Sequence, residues 1–277
     1  MNISSWIKVI FLLVMLIYGL SGCSPDKAVR KLGIEQVAPG VRIAESLVGD
    51  YSKDDLSSML HKLAVEQYQP PVNAGFDNQG QIQPGRNGRL LNVAASLTQV
   101  LAAQPDTNVE LVYDEIQPLI STEKLHRAIR TGGYTTRVLD ANPNRLHNIR
   151  LTTDLINNFL LEAGQEFSFN RVTGEPTAER GFKEAGIFAA GGRYEEETGG
   201  GMCQVSSTLY NAVLAAGLPI TERHPHSQPV DYVPAGKDAT VYTDKDFRFM
   251  NNTRQAILIR AFESNKRVTV DLWSVEK

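Results

Sequence analysis

The sequence predicts an α+β fold: a small N-terminal α+β domain, then a mixed α+β catalytic-type domain in which a cysteine-bearing helix packs on an antiparallel sheet. Three observations carry this reading. Between Val37 and Thr122, short extended stretches alternate with stretches of helical periodicity. From Met202 onward, a helix carries one continuous apolar stripe. Beyond that helix, extended segments double back across turns rich in proline and glycine.

The elements follow in order. Ser52 with Lys53, Asp54 and Asp55 caps a helix whose apolar residues Leu56, Met59, Leu60 and Leu63 recur at helical spacing, and Pro70 and Pro71 stop it. Asn73 to Phe76 reads as extended, with a turn around Asp77 to Gly80. After the Pro84-Gly85-Arg86-Asn87-Gly88 turn, Leu91, Ala94, Ala95, Leu97 and Leu101 place a second helix. Val109 to Tyr113 alternates as a strand does, and Gln117-Pro118 ends it. Leu125 to Gly133 reads as a short helix closed by Gly132 and Gly133, a hinge. The first domain is therefore placed at 37–122, a connector at 123–133 and the second domain at 134–277. Hydrophobic content of 42% and charged content of 21% are those of a globular protein, and a net charge of −3 gives no basic footprint for nucleic acid.

Residues 1–23 read as a targeting segment. Lys8 is the one charge before the apolar run Val9 to Leu16, which continues to Leu20-Ser21-Gly22-Cys23. Small residues directly before a cysteine resemble a bacterial lipobox. That resemblance implies cleavage before Cys23, acylation of its thiol, and a lipid anchor on the outer face of a membrane. Residues 24–36 are then a polar tether. An uncleaved membrane anchor and an ordinary signal peptide are the alternatives, but the apolar core is short for a span of about 20 residues. Every version leaves the body of the protein outside the cytoplasm.

The chain has two cysteines. With Cys23 lipidated, Cys203 has no intramolecular partner, and an unpaired thiol in an exported chain needs either burial or a chemical role. Cys203 follows Gly199, Gly200 and Gly201 at what reads as a helix start, where the dipole lowers a thiol pKa. Val205, Leu209, Ala212, Val213 and Ala216 form the apolar stripe. Cys203, Ser206, Ser207 and Tyr210 lie on a separate polar face, so the thiol is expected away from the burying side. The glycines permit close approach of a substrate and convergence of backbone N–H groups suited to an oxyanion, with the Gln204 amide as a further donor. The competing reading is a small buried hydrophobe behind an ordinary loop.

A thiol nucleophile wants a base and a group to orient it. His226 lies on one extended segment and Asp238 on a returning one, an order of elements shared with transglutaminase-like thiol enzymes by analogy only. His226 is the preferred base and His224 is peripheral. Asp238 either orients His226 or caps a turn. His147 either reaches the site or pins a helix, the structural role being favoured. Cys203, His224, His226 and Asp238 are the residue types of a zinc site, but the usual ligand spacings are absent, so no metal or other cofactor is expected.

Residues 37–122 resemble the peptidoglycan-binding domain found in front of cell-wall transpeptidase and VanW domains, through Ala74 to Asp77, the Pro84 to Gly88 turn and the strand closing at Pro118. From Tyr134 to Trp273 the chain resembles the VanW family. The matching segments are Asn144 to Ile149, Gly164 to Asn170, Thr177 to Phe182, Gly199 to Val213, His226-Ser227, Asp238 to Val241, Phe247 to Thr253 and a closing hairpin. The resemblance implies work on the cell wall, since such domains accompany glycopeptide-resistance and peptidoglycan-associated modules. It also implies L,D-transpeptidation or L,D-carboxypeptidation of peptidoglycan stem peptides through a Cys203 thioester. The alternatives are a non-catalytic wall-binding lipoprotein or assembly factor, and a thiol amidase sharing the same site.

Overall fold

The computed structural model describes residues 35–140, 142–188 and 194–276. The expected signal with Cys23 and nearly all of the tether lie outside the described residues. No helix among the described residues is long and apolar enough to cross a membrane. The α+β class is observed: helices and antiparallel sheets share the chain.

The chain divides into two compact units, one from the described residues up to Pro70 with Gly88–Ile116, the other from Pro71–Asn87 with Gln117 onward. This differs from a boundary at 122, and the cause is packing. Ala74 and Phe76 join Ile120, Leu125, Leu258 and Val275 in one buried cluster, which draws the hairpin of β3 (Gly75–Phe76) and β4 (Ile82–Gln83) into the second unit.

In the first unit, β1 (Arg42–Ile43) pairs antiparallel with β2 (Ser46–Leu47) and parallel with β6 (Asn108–Val109). The Lys53–Glu66 helix starts where Ser52 accepts from Asp55 N, as its capping sequence predicts. Its buried Leu56 and Leu60 pack with Val41, Val48, Leu91 and Val100. Leu91 ends β5 (Gly88–Leu91) instead of opening a helix, because Asn92 is in an extended conformation and its side chain caps the Val93–Leu101 helix through Ala95 N. The strand expected at Val109 to Tyr113 is divided: Val109 pairs with Ile43, and β7 (Tyr113–Ile116) pairs with β5.

The second unit is built on a four-stranded antiparallel sheet in the order β8-β16-β15-β9. Its strands are β8 (Ile129–Arg137), β9 (Leu160–Leu161), β15 (Ala256–Ser264) and β16 (Arg267–Val275). β15 and β16 form the expected closing hairpin. The expected hinge helix is replaced by a shorter one, Thr122–His126, and Gly132 and Gly133 lie inside β8. Gly132 has a packing reason. A Cβ there would stand 2.5 Å from Ala212 O and 2.7 Å from Ala216 N, so its absence lets the Met202–Ala215 helix lie close on the strand.

That helix presents Val205, Leu209, Ala212 and Val213, all fully buried, to the core shared with Val268, Val270 and Leu272 of β16. Each of the valine and leucine side chains contributes roughly 1.5–3 kcal/mol by leaving water. The Pro143–Ile156 helix adds Ile149 and Ile156 to the same core. A second antiparallel sheet, β10-β14-β13 (Glu166–Ser168, Arg248–Met250, Ile220–Glu222), contributes the stacked rings of Phe167 and Phe249. β11 (Glu184–Phe188) and β12 (Tyr194–Thr198) pair as a hairpin leading into the glycines before Cys203.

Candidate functional site around Cys203

Cys203 is the second residue of the Met202–Ala215 helix, whose N-cap is Gly201 at φ +115°. That φ is strained for any residue with a Cβ. A Cβ on Gly201 would also meet Ile149 Cγ1 at 2.9 Å, and one on Gly200 would meet Ala185 O at 2.5 Å. The glycines thus seat the helix start against its own protein rather than opening a path to substrate. The N–H groups of Gly199, Gly200, Met202 and Gln204 are bonded to Lys183 O, Glu197 O, Gly199 O and Gly201 O, which takes these four out of the donors expected to converge there.

The two serines of the polar face are buried, contrary to the expectation that this face lies away from packing, while Cys203 and Tyr210 are partly buried. Ser206 and Ser207 are both 0% exposed. Their hydroxyls hold the segment Lys237 to Val241 against the helix. Ser206 Oγ donates to Ala239 O at 2.6 Å, while Ser207 Oγ accepts from Ala239 N at 2.9 Å and donates to Cys203 O at 2.7 Å. Asn211, one turn further along, donates to Lys237 O at 2.6 Å. The Cys203 thiol joins the same row, donating to Val241 O at 3.5 Å. These hydroxyls are a rail for the chain that bears Asp238, not contacts for a substrate.

Burial pushes the Cys203 thiol above its ordinary value, outweighing the nearby charges of Arg145 and Lys245, which pull it down. The lowered thiol pKa expected at a helix start is therefore reversed. Desolvation of a thiolate costs more here than the helix end and two cations return.

His226 and Asp238 are brought together. Asp238 Oδ2 accepts from His226 N at 2.6 Å and meets His226 Nδ1 at 2.8 Å. A carboxylate only accepts, so Nδ1 carries the proton and Nε2 is left as the ring's basic position. Arg223 clamps the other side: its Nη2 donates to Asp238 Oδ1 at 2.8 Å and its Nε to Asp238 O at 2.6 Å. Burial raises the Asp238 carboxyl, but the His226 backbone N–H, the His226 ring and its charge outweigh burial and hold it below its ordinary value. Neither residue lies on a strand as expected. Between β13 and β14 the backbone pairs only at isolated bridges, His224 with Thr240 and Tyr242 with Lys245. Pro225, Pro229 and Pro234 have no N–H to give a ladder.

The thiol and the imidazole do not bond directly; Tyr232 stands beside the imidazole. Its hydroxyl is 3.5 Å from His226 Nε2, and the two rings meet edge to face at 6.5 Å between centroids. Burial, with the neighbouring Cys203 as a smaller cause, pushes the Tyr232 hydroxyl far above its ordinary value and keeps it protonated. Arg223, Tyr232 and Asn211 were not singled out as site residues from the sequence. Only the spacing Cys203, Ser207, Asn211 was a usable signal, one helical row.

The remaining expected residues lie elsewhere. His224 Nε2 faces Glu222 Oε1 at 2.9 Å, away from Asp238. His147 Nε2 meets Gly181 O at 2.8 Å, which pins the chain before β11. Gln204 Nε2 donates to Thr136 Oγ1 and Arg137 O, so its amide is occupied rather than free for an oxyanion. Its Oε1 accepts from Arg145 Nη2 at 3.3 Å. Among the described residues no group of three or more His, Cys, Asp or Glu stands where it holds a metal ion.

The family model described as "VanW like protein" matches residues 144–273, the stretch that contains this site. The chain is 38% identical over 231 residues to the uncharacterized protein YoaR of Bacillus subtilis (strain 168), covering 81% of this chain and 75% of that one. It is 31% identical over 103 residues to the vancomycin B-type resistance protein VanW of Enterococcus faecalis (strain ATCC 700802 / V583), covering 35% of this chain and 37% of that protein. No solved structure matches the chain. With a relative of that identity across most of both lengths, and the family model lying over the Cys203 helix and the His226–Asp238 pair, this chain is a member of the VanW family.

Proposed function

We propose that this protein is a cell-envelope cysteine acyl transferase that acts on peptidoglycan stem peptides by L,D-transpeptidation, or by L,D-carboxypeptidation when water is the acceptor. The observation that carries the reading is the row Cys203, Tyr232, His226, Asp238, Arg223. The Tyr232 hydroxyl feels the charge of the Cys203 thiolate and faces Nε2 of an imidazole whose other nitrogen is held by a clamped carboxylate. This is the arrangement of nucleophile, base and orienting acid.

The thiol proton passes by way of the Tyr232 hydroxyl to His226 Nε2. Cys203 sulfur then adds to the carbonyl of the third stem-peptide residue. The tetrahedral adduct collapses, the bond to the terminal D-alanine nitrogen breaks, and His226 returns the proton to the leaving amine. The side-chain amine of a neighbouring stem attacks the thioester, forming the cross-link and restoring the thiol. The raised thiol pKa makes base assistance necessary, since little thiolate stands ready at neutral pH. Peptidoglycan as substrate draws on family membership and on the expected export and lipid anchor at Cys23. Cys203→Ala, incubated with tetrapeptide muropeptides, is expected to lose both cross-linked and trimmed products. Undiminished product would sink the nucleophile.

A second reading has an observation of its own. The thiol is partly buried and hydrogen-bonded to Val241 O, as a structural cysteine would be. In that reading the protein binds wall material without chemistry, and Cys203→Ala retains affinity for muropeptides that the wild type never converts.

A further inference from the structure

Arg145 is a cation of this site left without an anion among the described residues. Elsewhere in the second unit the partly buried arginines are neutralised: Arg223 by Asp238, Arg260 by Asp271, and Arg248 by Asp246. Arg145 sits in the first turn of the Pro143–Ile156 helix and makes two long bonds of 3.3 Å to neutral oxygens, Gly186 O and Gln204 Oε1. Its Nε is buried with no partner, and among the described residues no carboxylate pairs with it. A guanidinium with an orphaned donor in a partly desolvated place favours a bidentate anion strongly. Gln204 directly follows the nucleophile and is itself fixed by Thr136 and Arg137, so its Oε1 holds the guanidinium at the start of the Cys203 helix. The charge of Arg145 is felt at both the thiol and the Tyr232 hydroxyl.

We infer that Arg145 is a carboxylate-binding residue of the Cys203 site, and that the acyl donor is a peptide with a free C-terminal carboxylate one residue beyond the carbonyl that the thiol attacks. The inference rests on the proposed acyl-transfer reading for the identity of the donor, but the anion site itself does not. Arg145 then decides specificity: it selects stem peptides that end one residue past the scissile bond and rejects those blocked or extended there.

The test uses full-length protein in detergent and two small alkylating probes, iodoacetate and iodoacetamide, which differ in a carboxylate. Each rate on Cys203 is divided by the rate on a free thiol such as glutathione, and Cys203→Ala reports any background. A carboxylate site predicts that iodoacetate is favoured over iodoacetamide by about tenfold, one charge-assisted bond's worth. In Arg145→Met that ratio falls to about one, and Arg145→Lys lies between because it keeps the charge without the fork. A role of Arg145 limited to folding or to thiol acidity moves both rates together and leaves the ratio unchanged, which overturns the inference. Failure of both probes to reach Cys203 overturns it as well. Thermal unfolding of the two variants identifies a collapse of the fold, and if both variants unfold, the wild-type ratio alone decides. A second arm compares donor tetrapeptides ending in a carboxylate or an amide. Turnover of neither, with the probe ratio intact, removes the acyl-transfer reading and leaves the anion site standing.

Discussion

Asp238 is the point where the site and the stability of the second unit meet, and Asp238→Asn separates its charge from its shape. The carboxylate accepts from His226 N at 2.6 Å and faces His226 Nδ1 at 2.8 Å through one oxygen, and accepts from Arg223 Nη2 at 2.8 Å through the other. An amide has one oxygen to offer. Its best placement keeps the oxygen on His226 and turns the NH2 toward Arg223, so one charge-assisted bond, roughly 1.5–3 kcal/mol, is replaced by opposed donors. The side chains of Arg223 and Asp238 are 22% and 11% exposed, which softens the penalty below the roughly 3–5 kcal/mol of a fully buried broken pair. The expected loss is about 2–4 kcal/mol, or roughly 5–15 °C in Tm for a unit of this size, read by circular dichroism on heating. The sign with pH follows from the direction of the Asp238 shift. The folded-state carboxyl is held below its ordinary value, so its contribution is full above the unfolded-state value near ~4 and is lost as pH falls through the folded one. The gap between wild type and Asp238→Asn should be present at about pH 5.5 and shrink in more acid solution. A variant within about 0.5 kcal/mol of wild type at neutral pH, or a gap undiminished in acid, refutes the reasoning.

Two further outcomes follow from the same geometry. Ser207→Ala leaves the buried Ala239 N–H without its acceptor and should cost about 1–3 kcal/mol in denaturant unfolding, whereas a loss under about 0.5 kcal/mol would remove the rail as a structural device. Alkylation of Cys203 by iodoacetamide should be slow near neutral pH and still rising above the ordinary thiol range, because burial holds the proton on sulfur; a plateau reached near neutral pH would contradict this.

Several features of the site were legible in the sequence. The apolar stripe from Val205 to Val213, the polar row one face away, the helix stop at Gly217 and the odd thiol of Cys203 follow from period and count. His226 and Asp238 were nameable as partners by residue type, and the structure places them in hydrogen-bond contact. What covers each face was not legible. Periodicity says which residues share a side of a helix, but Ser206, Ser207 and Asn211 are buried because a distant segment with no strand ladder of its own docks on them. The same physics hid Arg223, Tyr232 and Arg145. They meet Asp238, His226 and Gln204 respectively through the tertiary path of a loop or a neighbouring helix, and no spacing along the chain encodes that path. The sequence by itself determined a helix with a thiol at its start and a chemically suited pair downstream. Only the tertiary structure decided that burial raises the thiol pKa, that a tyrosine hydroxyl meets the base, and that an arginine without an anion is held by the residue after the thiol, because desolvation and charge balance depend on everything packed around a group.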